Sequence, residues 1–157
     1  MSYRDPVELS FLASKKEKAS ALPPEWYQEI DGKRILRLLL CVGLNGTGKT
    51  KMIEALQYLR MLAVYKPEKP TDRPAYRPFL LDEQSRYEPS ELSLTYYINN
   101  TCHYYYIKVS EKRIEEEILK QISPNILLYH RFYNSETDTV SIKFGSDSDI
   151  SKRHSRH

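Results

Sequence analysis

At 157 residues the chain has room for one domain with a real core and not for two large ones. Its 24 basic and 21 acidic residues nearly balance, so net charge alone does not point to nucleic acid. No apolar run approaches the ~20 residues of a membrane span and no signal-peptide core opens the chain, so the expectation is a soluble, cytoplasmic protein with no membrane partner.

In chain order, Val7-Glu8-Leu9-Ser10-Phe11 alternates apolar and polar residues and predicts a short strand. Lys15 to Lys18 is a charge cluster that suits a solvated loop better than a DNA contact. Pro23-Pro24 breaks the chain, and Trp26 through Ile30 resumes an extended path. Asp31-Gly32 is a two-residue turn signal, so a hairpin should lead into the next segment. That segment, Ile35 to Val42, is almost wholly apolar and predicts a strand buried on both faces, with Cys41 as a small buried thiol. Cys41 and Cys102 fall in different expected strands, which favours reduced thiols over a disulfide framework.

Gly43-Leu44-Asn45-Gly46-Thr47-Gly48-Lys49-Thr50 matches the phosphate-loop pattern G-x-x-x-x-G-K-[ST] at every fixed position. Glycines let the backbone curl so that successive N–H groups face inward as an anion nest. In that chemistry Lys49 places its ammonium against the β- and γ-phosphates, and the Thr50 hydroxyl enters the shell of a Mg²⁺ ion. Met52, Ile53, Leu56, Leu59 and Ala63 then follow helical spacing until Pro67 approaches. Strand, glycine-rich loop and amphipathic helix is the order the motif requires. No guanine-reading N-K-x-D follows, which leaves ATP by elimination.

Lys66 to Pro78 holds four prolines and predicts an irregular crossover. Phe79-Leu80-Leu81-Asp82-Glu83 imitates a Walker B strand, in which Asp holds Mg²⁺ and Glu activates water. Only three apolar residues precede Asp82, so a surface turn is the better reading. From Leu92 the pattern is β: Leu92 to Ile98, an Asn99-Asn100 turn, Thr101 to Val109, Asn125 to Tyr129, and Thr139 to Phe144. Ile114 to Ile122 fits helix or strand. Thirteen tyrosines alternate with polar residues, as on half-buried strands rather than a base-stacking platform. His103 and His130 read as core or edge residues. Residues 146–157 form a polar tail with little to bury, and His154 and His157 lack the partners of a metal site.

The loop GLNGTGKT followed by Ile53-Glu54-Ala55-Leu56 resembles the RecF/SMC-type branch of ABC ATPases, and more closely the bacterial AAA-family ATP-binding proteins of the abortive-infection and OLD-like group. Ser2 to Phe11 looks like that family's opening, Pro78-Phe79-Leu80-Leu81 like its segment after the helix, and Glu91 to Phe144 like its antiparallel meander. The resemblance implies an α/β fold: the N-terminal lobe of a P-loop NTPase over residues 1–145, a strand–loop–helix core with an antiparallel β meander. It also implies MgATP bound by Gly43 through Thr50, and a parent machine in nucleic-acid processing or phage defence. A second ATPase head or a missing C-terminal lobe would be the partner, with nucleic acid reached only through the assembly.

Three departures qualify this. Lys51 stands where the family has Asn, and the strand expected before Ser2 is absent. No LSGGQ-like signature, Walker B pair or switch histidine is present, so no catalytic residue is assigned and hydrolysis by this chain is not expected. Two other readings stay open. One is a small P-loop phosphotransferase, with Arg73, Arg77 and Arg86 as acceptor-binding groups; the other is a truncated, non-functional remnant.

Overall fold

Two short turns fix the local geometry of the chain. Asp31 and Gly32 sit at φ 52° and 66°, and Asn99 and Asn100 at φ 49° and 62°. Positive φ at both central residues is what a two-residue hairpin turn needs to match strand twist, and Asn, Asp and Gly tolerate it best. Both hairpins form as their sequences predict. The structure, a computed structural model, describes residues 6–13, 22–69, 72–76 and 87–145. The readings that fall on Ser2 to Asp5, Lys15 to Lys18, Pro78 to Glu83 and the 146–157 tail lie outside these residues.

The chain divides into two compact units, with the boundary between Lys49 and Thr50. In the first, a single 3₁₀ turn (Pro24–Trp26) leads into β1 (Tyr27–Ile30), which pairs antiparallel with β2 (Lys33–Leu36). Val7 to Ser10 carries no strand. Contact with β2 begins at Phe11, whose carbonyl accepts from Leu36 N at 2.7 Å, and continues through a single Leu12–Ile35 bridge. A two-stranded ribbon this short offers little apolar surface, so a third segment gains only a brief pairing.

The second unit holds α1 (Lys49–Ala63, counted from the last residue of the first unit) and a five-stranded sheet: β3 (Ser90–Ile98), β4 (Thr101–Val109), β5 (Ile114–Gln121), β6 (Ile126–Asn134) and β7 (Thr139–Phe144). The spatial order is β3-β4-β5-β6-β7 and every pair is antiparallel. The described residues are thus mixed α/β, with one α-helix and an antiparallel meander. The ambiguous Ile114 to Ile122 segment is a strand, because β4 and β6 flank it on both edges.

One face of this sheet is the core. Tyr58, Leu59 and Leu62 of α1 pack on Leu92, Tyr105, Ile107, Val109 and Ile114, and Ile107 and Val109 are fully buried. Burial of side chains of this size contributes about 1.5–3 kcal/mol each. The helix buries a different stripe from the one the sequence predicts. Ala55, Tyr58, Leu59 and Leu62 face the sheet, whereas Ile53, Leu56 and Ala63 are exposed. Both stripes are helical in spacing, but Tyr58 and Leu62 offer more area than Leu56 and Ala63. The Tyr58 hydroxyl also donates to Ala75 O at 2.6 Å.

Glu117 is buried beside this core. Tyr105 and Tyr129 both donate to its Oε1 at 2.7 Å, and Arg131 Nη2 meets its Oε2 at 2.7 Å. Burial, then the bond to Glu117, pushes both phenols well above their ordinary value of 10.0. Below pH 10 they are neutral in both folded and unfolded chains, and their contribution is complete. Above it the unfolded chain releases protons that the fold retains, so stability falls with rising pH. Urea midpoints measured from pH 8 to 11 should therefore decline above pH 10, less steeply in a Tyr105→Phe/Tyr129→Phe variant. Glu117→Ala should cost about 3 kcal/mol at pH 7, because it strands the half-buried Arg131 guanidinium.

Candidate functional site

The phosphate-loop motif adopts a closed conformation built by its own residues. Gly46 and Gly48 stand at φ 84° and 88°, the left-handed region where an L side chain is strained. Between them Thr47 folds back, its N–H and its hydroxyl both donating to Leu44 O, at 3.4 and 2.9 Å. Gly43 is needed for space: a Cβ there would lie 2.9 Å from Thr47 Oγ1. The Lys49 ammonium reaches back across the loop and donates to Gly43 O at 2.8 Å and Leu44 O at 2.7 Å. One cation thus rests at the centre of the curl, its charge spread over two carbonyls.

Gly43 through Thr47 are exposed, and Gly48 and Lys49 are half-buried. Asn45 occupies the turn with Gly46. Thr50 lies in the first turn of α1 with its side chain exposed, and no acidic residue occupies that turn. These features suit an anion: an exposed curl of backbone, a lysine inside it and a helix start with no competing carboxylate. Among the described residues no cluster of His, Cys, Asp and Glu could hold a metal ion.

The flank before the loop departs from expectation. β2 ends at Leu36, and Arg37 to Leu44 carries no strand. Leu38, Leu40, Val42 and Leu44 are 79%, 81%, 86% and 83% exposed, and Cys41 is exposed as well. The physical reason is pairing. An apolar run is buried as a central strand only when strands bond both its edges and other layers cover both its faces. Among the described residues nothing does so. Among the described residues, then, no P-loop core is seen around the motif.

Of the phosphotransferase arginines, Arg73 is exposed in an irregular segment, while Arg77 and Arg86 lie outside the described residues, as do Asp82 and Glu83. Two groupings are unforeseen by the sequence reading: the buried Glu117 network, and a His130–Glu116 pair with Nε2 and Oε1 2.8 Å apart. Both come from β5, where Glu115, Glu116 and Glu117 are consecutive. The alternation of strand faces sends its members to opposite sides of the sheet.

Because Gly46 and Gly48 hold left-handed backbone, Gly46→Ala and Gly48→Ala should each destabilise the closed loop by about 1–2 kcal/mol. Hydrogen–deuterium exchange should report this as roughly tenfold faster exchange confined to the loop amides, with the sheet unchanged.

Compared with protein-family models, with curated proteins and with solved structures, the chain matches none.

Proposed function

We propose that the chain is an ATP-binding domain related to the ABC/RecF-type ATPases, binding MgATP through Gly43 to Thr50. The observation that carries this reading is the loop itself: left-handed Gly46 and Gly48 around a Lys49 ammonium held at the centre of the curl. Lys49 would exchange its carbonyl partners for phosphate oxygens, a charge-assisted contact stronger than the one it replaces. Backbone N–H groups from Asn45 to Gly48 would bond the phosphates, and Thr50 would bind Mg²⁺. With no Walker B pair or signature motif in the sequence, binding rather than hydrolysis is the activity assigned.

The exposed Leu38 to Leu44 tract belongs to the same proposal. An apolar segment whose alternate residues are more than three-quarters exposed is poorly suited to water. A second ATPase head or a further lobe, supplying strands to either edge of residues 38–42, would bury it and stiffen the loop's entry. The remnant reading predicts no binding, with or without such a partner.

Titration calorimetry of the full chain with MgATP tests the proposal, with Lys49→Met as the control. The wild-type chain should bind, and the variant should bind about 10- to 100-fold more weakly, since charge-assisted contacts are worth about 1.5–3 kcal/mol. A cooperatively folded wild-type chain that takes up no MgATP, or a Lys49→Met variant of equal affinity, would overturn it.

A further inference from the structure

The sheet face opposite α1 is built differently from the core face. Strand register places three rows of side chains across it. One runs Ser93, Tyr106, Ile118, His130, Lys143; a second runs Thr95, Tyr104, Lys120; a third runs Glu91, Lys108, Glu116, Phe132, Ser141. Side-chain contacts agree with the register. Lys108 Nζ meets Glu91 Oε1 at 2.8 Å, Lys120 Nζ lies 5.1 Å from the centroid of the Tyr104 ring, and Lys143 Nζ lies 5.1 Å from that of Phe132. The His130 ring lies 5.0 Å from Phe132.

The rings of Tyr104, Tyr106 and Phe132 are half-buried, and Lys143 is exposed. An open groove of about 400 Å³ runs over this face, lined by Lys108, Glu116, His130, Phe132 and Lys143 among others. The pattern is aromatic rings flanked by lysines, on a β surface that α1 leaves uncovered. Alternation alone does not say which strand face the rings occupy; register does.

We infer that this face binds single-stranded nucleic acid, without sequence preference and independently of the phosphate loop. Bases stack on Tyr104, Tyr106 and Phe132, since every base has a π-face and stacking ignores sequence. Phosphates between them meet Lys108, Lys120 and Lys143. The Lys120 and Lys143 ammoniums, which lie over Tyr104 and Phe132, would swing aside to a phosphate as a base takes the ring face. Glu91 and Glu116 hold Lys108 and His130 in place, and Glu115 also lines the groove, so three lysines stand against three glutamates. The charges balance, so affinity is modest and stacking carries most of it. Stacking, not charge, favours nucleic acid over an acidic peptide, whose carboxylates bring no bases to stack.

The test is fluorescence anisotropy of labelled twelve-nucleotide oligo-dT and oligo-U with the full chain at 50 mM salt. Both should bind, and log affinity should fall against log salt with a slope of about −2, as three neutralised phosphates on a single strand require. Lys120→Gln/Lys143→Gln should flatten the slope to about −1; both are surface changes that leave the fold intact. Phe132→Leu and Tyr104→Leu, checked for cooperative melting, should each weaken binding about tenfold. Lys49→Met should bind the oligomers unchanged. The inference is overturned by absence of binding, by equal binding of a duplex of the same length, or by a lysine double variant with an unaltered slope. It is equally overturned if polyglutamate displaces the oligomer at matched charge, or if Lys49→Met abolishes binding.

Discussion

Removal of one side of β4 from water is the constraint on which the larger unit depends. Ile107 and Val109 lose all exposure beneath Tyr58, Leu59 and Leu62, while neighbouring strands tie β4 along both edges. A helix of fifteen residues is marginal alone in water, so α1 holds its form through this face and not through propensity. The sheet needs the helix equally, because a meander with two wet faces has no core. The two elements are therefore stable together, and the short turn at Asn99-Asn100 keeps the pairing of β3 with β4 local.

The same sheet carries two kinds of polar chemistry, separated by its own thickness. On the helix side Glu117 is buried, and two phenols and a guanidinium satisfy it. A buried carboxylate without such partners would be strongly destabilising; with them it fixes the register of β4, β5 and β6. On the other side Glu116, one residue earlier, pairs with His130 in a half-exposed setting where the charge costs little. One position along a strand changes a group from a structural fixture to part of an accessible surface.

The phosphate-loop motif presents the opposite balance. Its conformation is local, set by left-handed glycines, the Thr47 fold-back and the Lys49 bridge. Its support is not, since the apolar run feeding it is exposed. A loop that shapes itself but lacks a rigid entry strand can offer an anion the right donors while paying entropy to hold them still. This is why the proposed nucleotide site is coupled to a partner that covers residues 38–44, whereas the proposed base-stacking face rests on a sheet already complete.

What the sequence determined by itself was everything that depends on near neighbours. Asp31-Gly32 and Asn99-Asn100 specify their turns because positive φ is a property of those residues. Gly46 and Gly48 specify the curl of the loop for the same reason, and the alternation in Leu92 to Val109 specifies two strands, the first of which begins two residues earlier, at Ser90. Tertiary structure decided the rest. Whether Ile35 to Val42 became a buried strand depended on strands beside it, and no composition supplies those. Which stripe α1 buries depended on the shape of the sheet under it. Glu117 could be told from Glu116, and the rings of Tyr104 and Phe132 placed on one face, only once register was set, because a one-residue shift exchanges the faces of a strand.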